Sequence, residues 1–151
     1  HNILEHWALG EYETYNPGNN LVHQQAKAMA KVVVYNIEND VQEIWGTEVN
    51  LCAANLYAGT TDLVGMYKGK PTIMDFKQTN KPKKREWIED YFLQGAAYGI
   101  AHNEMFETKI QNIAIFMCSG DCEWQLFEVK DEEFKHYETL WAKRLEQFYN
   151  L

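Results

Sequence analysis

The stretch that decides the fold is Tyr57–Lys84, YAGTTDLVGMYKGKPTIMDFKQTNKPKK. Two runs of β-forming residues flank Lys68–Gly69 and predict a hairpin, because glycine tolerates the positive φ of a two-residue turn. Residue numbers that face each other across this turn sum to 137, so Asp62 faces Asp75, with Cα atoms about 4.5–5.5 Å apart. Lys77 follows Asp75 by two residues and therefore shares its face. The sequence predicts two carboxylates and one ammonium group in one small patch.

Two interpretations of this patch fit the residues. Like charges that face each other destabilise a sheet, so the carboxylates need a neutralising partner. The first interpretation is an exposed ion pair with Lys77. The second is a divalent cation, because carboxylates and a backbone carbonyl such as that of Phe76 are the ligands that Mg²⁺ and Mn²⁺ prefer. Such an ion acidifies a bound water, and a neighbouring lysine can orient that water, which predicts a hydrolytic site for phosphodiesters.

The remaining segments alternate between helical and strand patterns. Helices are expected from the N-terminus to Gly10, from a cap at Asn20 to about Asn39, over Trp87–Phe106, and over Glu132–Tyr149 with Asp131 as its cap. The residues of the last helix that are expected to face inward are Phe134, Leu140, Trp141, Leu145 and Phe148. Strands are expected at Val41–Leu51, Ala58–Tyr67, Thr72–Lys77, Ile110–Cys118 and Trp124–Val129. This order predicts a single α/β domain over residues 1–151, with helices packed on a small mixed sheet.

The bulk composition excludes several classes of protein. The chain has 151 residues, of which 46% are hydrophobic and 24% charged, as in a globular domain and unlike a disordered tail. No run approaches the roughly 18 apolar residues of a membrane span. Cys118 and Cys122 frame CSGDC, which could bridge a turn or bind a metal, but the further ligands of a zinc or iron–sulfur site are missing nearby. Together with Cys52 they favour ordinary reduced cysteines.

The net charge of −8 argues against a nucleic-acid binder, but its distribution does not. Five basic residues and no acidic one lie between Lys77 and Arg85, which leaves nine basic against 22 acidic residues elsewhere, a net −13. Such a strip is typical either of a solvated surface loop or of a site for phosphates. Its members are Lys77, Lys81, Lys83, Lys84 and Arg85.

Asp62 followed by DFK at Asp75–Lys77 resembles the Asp…(Asp/Glu)-x-Lys signature of the PD-(D/E)XK nuclease superfamily. YAGTTDLVG resembles a strand motif of its RecB-like exonuclease branch, and LQGAAYG resembles the Gln-x-x-x-Tyr helix of that branch, with Gln94 and Tyr98 on one helix face. HNILEHWALGE resembles the branch's first motif, in which a histidine opens a helix. The whole layout from His1 is most similar to the group of mitochondrial genome maintenance exonuclease 1 and its phage relatives.

The resemblance implies a restriction-endonuclease-like core and a set of site residues. The catalytic residues would be Asp62, Asp75, Lys77, Gln94 and Tyr98, and the metal ligands would be Asp62, Asp75, the Phe76 carbonyl, Glu48 and His1. With this assignment, Lys81, Lys83, Lys84 and Arg85 directly follow the catalytic strand and would contact the phosphate backbone. Trp87 and Tyr91 begin the next helix and would either stack on unpaired bases of the nucleic acid or pack in the core. The cofactor would be Mg²⁺ or Mn²⁺. An iron–sulfur cluster is not expected, because the four cysteines of the cluster-containing members are missing.

The implied activity is metal-dependent exonucleolytic hydrolysis of DNA that is single-stranded or has free ends. Phage, replication or recombination proteins are the expected partners, and the cytoplasm of a bacterial or phage-infected cell is the expected location, with mitochondria as an alternative. Gln78 stands where the branch usually has Thr or Ser, and the chain opens at His1, so N-terminal elements that help to hold DNA are expected to be missing. An inactive nucleic-acid-binding domain, a hydrolase of another phosphoester and a structural interaction protein therefore remain alternatives.

Overall fold

A computed structural model describes residues 1–13, 15–16 and 18–150. These residues form four helices and five strands, with one 3-10 turn at Arg85–Trp87 before α3. Their bounds are α1 Asn2–Ala8, α2 Leu21–Ile37, β1 Val41–Ala53, β2 Tyr57–Tyr67, β3 Lys70–Thr79, α3 Glu89–Phe106, β4 Asn112–Ser119, β5 Trp124–Lys130 and α4 Asp131–Tyr149. No helix among the described residues is long and apolar enough to cross a membrane.

The five strands form one mixed sheet in the order β1-β2-β3-β4-β5. Strands β3 and β4 are parallel, and the other neighbouring pairs are antiparallel. The parallel pair requires a crossover, which the segment containing α3 provides. All eight residues of β4 are buried, as expected for a strand that is covered on both faces.

The β2–β3 hairpin has the predicted register. Leu63 pairs with Met74 and Tyr67 pairs with Lys70, so facing residue numbers sum to 137. The two turn residues, Lys68 and Gly69, have φ values of 49° and 81°, the left-handed backbone that a two-residue turn of this kind requires.

The helices cover the two faces of the sheet in pairs. On one face, α1 and α2 pack on alternate strand residues such as Met74 and Phe116. On the other face, α3 and α4 pack on Ile113 and Ile115 through Phe92 and others. The sheet, including the end of β3, therefore lies between two helical layers.

One of the two predicted helix caps is present, and the other is not. The Asn20 side chain accepts a hydrogen bond from the backbone N–H of His23 and caps α2 as predicted. Asp131 does not cap α4: Lys130 occupies the cap position without a side-chain hydrogen bond, and the Asp131 carboxylate pairs with Lys70 at 3.1 Å. Phe148 was expected to face inward but is 77% exposed, because α4 extends past the buried part of its contact with the sheet.

Candidate active site

The two predicted aspartates lie side by side where β2 and β3 stop pairing. The last paired residues are Leu63 and Met74, and beyond them Asp62 Oδ2 accepts a hydrogen bond of 2.9 Å from the backbone N–H of Phe76. Asp75 is buried and only 7% exposed. Burial first, and then hydrogen bonding and repulsion from Asp62, raise the pKa of Asp75 to about 7. The pair can therefore hold a proton near neutral pH, which relieves the repulsion between its members.

Lys77 lies against this pair. Its Nζ atom is 2.7 Å from Asp75 Oδ2 and 4.6 Å from the ring centroid of Tyr91. Burial alone would lower the pKa of Lys77, but the neighbouring Asp75 carboxylate outweighs it and raises the pKa above its usual value. Lys77 is therefore a positively charged group held against the carboxylate pair.

His1 reaches the same site from the start of α1. Its Nε2 atom lies 2.6 Å from the carbonyl oxygen of Phe76, to which it donates, and 3.6 Å from Asp62 Oδ2. The structure thus brings His1 to the predicted ligand positions. In the arrangement present, however, the imidazole binds the Phe76 carbonyl that was expected to contact the metal.

Glu48 lies one strand further away. The pairs Thr47–Leu63 and Val49–Thr61 place Glu48 opposite Asp62 in the β1–β2 register. Its side chain is exposed, and its φ of 47° interrupts the regular strand. Glu48, Asp62 and Asp75 therefore follow one another across three strands, with Glu48 at the solvent side.

The donor chemistry fits a divalent cation, but the predicted ligand set is not assembled. Two adjacent carboxylates, of which the buried Asp75 has a raised pKa, form an arrangement that a cation stabilises, and their oxygen donors match Mg²⁺ or Mn²⁺. Within residues 1–13, 15–16 and 18–150, no group of three or more His, Cys, Asp or Glu is arranged so that it could hold a metal ion. The oxygen donors that do lie close together are the carboxylates of Asp62 and Asp75 and the carbonyl of Phe76.

Gln94 and Tyr98 are on the side of α3 that faces the site. Gln94 precedes Tyr98 by one helical turn, so the two side chains are neighbours on the helix. Burial, followed by the negative charge of Asp75, raises the pKa of Tyr98, which therefore stays a neutral phenol. An open groove of about 250 Å³ is lined by both residues and continues along Tyr57 and Trp141.

Gly59 lies next to the candidate site, and its contact with Tyr98 was not predicted from the sequence. A Cβ atom at Gly59 would lie 2.6 Å from Cε1 of the Tyr98 ring and 3.1 Å from its hydroxyl oxygen. Glycine at this position therefore makes room for the Tyr98 ring beside β2. The available signal was a glycine inside a predicted strand, which often marks close approach of another group.

Apart from Lys77, the basic strip consists of three exposed lysines and one arginine with internal partners. Lys81, Lys83 and Lys84 are exposed. The backbone of Lys83 is fixed by two 2.8 Å hydrogen bonds with the side-chain amide of Gln125. Lys84 Nζ lies 5.3 Å from the ring centroid of Trp87, whose side chain is 62% exposed.

Arg85 has internal partners that the sequence did not indicate. Its Nη2 donates to the backbone carbonyl of Glu128 at 2.8 Å and pairs with the carboxylate of Glu133. The guanidinium also lies 4.7 Å from the ring centroid of Phe92. Arg85 thus joins the start of α3 to β5 and α4, in contrast to the free cation expected from the charge pattern.

The three thiols are all free: Cys52 is exposed, Cys118 buried and Cys122 half-buried. Burial raises the pKa of Cys118 to about 11, which makes it an unreactive core residue.

Comparisons with known proteins support the fold. No family model matches the chain, and no curated protein matches it either. A crystal structure from Eubacterium rectale, described as a putative exonuclease, superposes with a TM-score of 0.60 at 14% sequence identity. The match covers 97% of this chain and 62% of that chain, so this chain spans under two thirds of its length. The predicted fold class is confirmed: an α/β protein with a restriction-endonuclease-like core, in which a small mixed sheet is flanked by helices.

Proposed function

We propose that the domain is a metal-dependent deoxyribonuclease of the RecB-like exonuclease branch of the PD-(D/E)XK superfamily. It would hydrolyse phosphodiester bonds of DNA from free or single-stranded ends. The observation that carries the proposal is the buried carboxylate of Asp75, which lies beside Asp62 and pairs with Lys77 at 2.7 Å. The structural similarity to a protein described as an exonuclease supports it through the fold alone.

One set of residues would bind the metal ion, and Lys77 would orient the attacking water. Asp62, Asp75 and the Phe76 carbonyl would hold Mg²⁺ or Mn²⁺, with His1 and Glu48 as further donors if they turn toward the ion. The bound ion would acidify a water and stabilise negative charge on the phosphate. Lys77 would donate a hydrogen bond to the attacking water and orient it.

The remaining candidates would position the DNA. Tyr98 lies near the carboxylates of Asp75 and Asp62, and Gln94 is its neighbour on α3; both side chains can hydrogen-bond a phosphate or the water without carrying charge. Lys81, Lys83 and Lys84 are exposed directly after β3 and would contact the phosphate backbone. Trp87 offers an exposed ring for an unpaired base.

Release of nucleotides from a single-stranded oligonucleotide with Mn²⁺ tests the proposal. We expect Asp75→Asn and Lys77→Met to reduce release by at least about 100-fold, because each removes a group at the reacting centre. Asp121→Asn and Lys143→Met are matched controls at exposed positions and should cleave like the wild type. Unchanged release by Asp75→Asn or Lys77→Met would refute the assignment.

An inactive nucleic-acid-binding domain of the same fold is the second candidate. Two observations favour it: His1 occupies the Phe76 carbonyl, and the described residues contain no ready three-ligand cluster. Calorimetric titration with Mn²⁺ separates the candidates. Binding that is lost in Asp75→Asn supports the nuclease, whereas DNA binding without carboxylate-dependent Mn²⁺ binding supports the inactive domain.

A further inference from the structure

Tyr91 presents the face of its ring to the ammonium group of Lys77. The distance from Lys77 Nζ to the ring centroid is 4.6 Å, within the range of cation–π attraction. The Lys77 side chain is 23% exposed, so the contact is partly shielded from water, where such attraction is stronger than at a fully exposed site.

The position of the ring is set by the start of α3. Tyr91 lies in the first turn of that helix, and its backbone N–H donates to the carbonyl of Ile88 at 2.9 Å. Ile88 and Phe92 on either side are buried in the core. The ring is therefore carried by a rigid element, while Lys77 is carried by β3.

Lys77 has a second anchor, the carboxylate of Asp75 at 2.7 Å. A divalent cation that bound Asp75 would compete with the ammonium group for the same oxygens. The contact with Tyr91 involves no oxygen of Asp75 and would persist. A lysine held by a ring as well as by a carboxylate can keep its place when the carboxylate changes partner.

We propose that Tyr91 is a positioning residue that holds Lys77 in place for the reaction, and that it acts through this ring contact and not by stacking on a base. The inference rests on the proposed nuclease function. It replaces the expectation that Tyr91 binds nucleic acid, because Tyr91 is half-buried and one ring face is already covered by Lys77.

The first test needs neither DNA nor metal. In protein with ¹³C-labelled lysine, the CεH₂ signal of Lys77, assigned with Lys77→Arg, should be shifted upfield by the Tyr91 ring. The shift should persist in Tyr91→Phe and disappear in Tyr91→Leu. Lys68 and Lys84, which lie over the rings of Tyr67 and Trp87, are internal references that should not change.

The second test separates positioning from binding. Tyr91→Leu should lower kcat roughly 3- to 30-fold, the range that a cation–π contact of this kind supports, with the Kd for an oligonucleotide changed less than about twofold. Tyr91→Phe should restore kcat, since it keeps the ring. Tyr35→Leu, at a 78% exposed tyrosine of α2, is the matched control and should leave both quantities unchanged.

The outcomes are distinct. A weaker Kd with unchanged kcat in Tyr91→Leu would overturn positioning in favour of base stacking, and a Lys77 signal that does not respond to Tyr91 would overturn the contact. If Tyr91→Leu unfolds, Tyr91→Met provides the same loss of ring in a residue suited to helices. A wild type with the ring shift but no nuclease activity would refute the proposed function and the catalytic purpose of the contact, while the contact itself stands.

Discussion

The charge of Asp75 changes in the neutral pH range, because burial and the neighbouring Asp62 raise its pKa to about 7 from an ordinary value of 3.8. Between these values the folded protein holds a proton that the unfolded chain has released. The free energy of unfolding therefore falls as the pH rises through this window and levels off above pH 7. The same carboxylate that would bind a cation thus destabilises the cation-free protein at neutral pH.

We expect Asp75→Asn to remove this pH dependence, because asparagine stays neutral. From pH 5.5 to 8.0, in the presence of a chelator, the wild type should lose on the order of 2 kcal/mol relative to Asp75→Asn. Urea unfolding at several pH values measures the difference. Asp121→Asn should follow the wild type, and parallel profiles for the wild type and Asp75→Asn would contradict the raised pKa.

The cost of adding a side chain at Gly59 should depend on the Tyr98 ring beside it. Because an added Cβ would lie 2.6 Å from the Tyr98 ring, Gly59→Ala must displace that ring, at a cost of about 1–3 kcal/mol. In a double-mutant cycle, the cost of Gly59→Ala should shrink when Tyr98 is already alanine. Urea unfolding of the four proteins gives the coupling energy, and additive effects would show that the two positions are independent.

Among the strands, β1 pairs with β2 along most of its length, but the pairing is irregular at two places, between Val41 and Glu43 and between Ile44 and Gly46. Opposite this region a Cβ at Gly65 would lie 2.0 Å from the carbonyl oxygen of Glu43, a backbone atom that cannot rotate away. Glycine at this position therefore allows the two strands to approach.

We expect Gly65→Ala to cost about 3 kcal/mol or more and to detach β1. Gly69→Ala is the matched control: nothing lies within 4 Å of its Cβ, and its φ of +81° alone should cost about 1 kcal/mol. Urea unfolding measures both losses, and amide hydrogen exchange along β1 shows whether the strand opens. Equal losses for the two variants would refute the close-approach argument.

The hairpin and its register could be predicted because a two-residue turn fixes every facing pair by counting. The irregular pairing of β1 could not, because a bulge depends on contacts with the neighbouring strand. The exposure of Phe148 was missed for a related reason: periodicity assigns a face to α4 but not the point at which the sheet below it ends. Similarly, the partners of Arg85 come from β5 and α4, which lie far away in sequence.

On the scale of the whole molecule, the basic strip is a local feature of an acidic protein with a net charge of −8. Because Arg85 binds Glu128 and Glu133, the exposed cations that remain in the basic strip are Lys81, Lys83 and Lys84. If DNA binds there, its affinity must depend on these three lysines and not on total charge. Two triple variants with the same net charge of −11 can distinguish local contact from the overall field.

We expect Lys81→Gln/Lys83→Gln/Lys84→Gln to weaken single-stranded DNA binding and to flatten the plot of log K against log salt by about 2, at about 0.7 per lost phosphate contact. Lys27→Gln/Lys31→Gln/Lys143→Gln removes the same charge elsewhere and should leave the slope almost unchanged. Both variants are measured on the Asp75→Asn background, so that cleavage does not interfere. Equal slopes for the two would mean that DNA responds to the net charge of the protein, and the strip would then have no contact role.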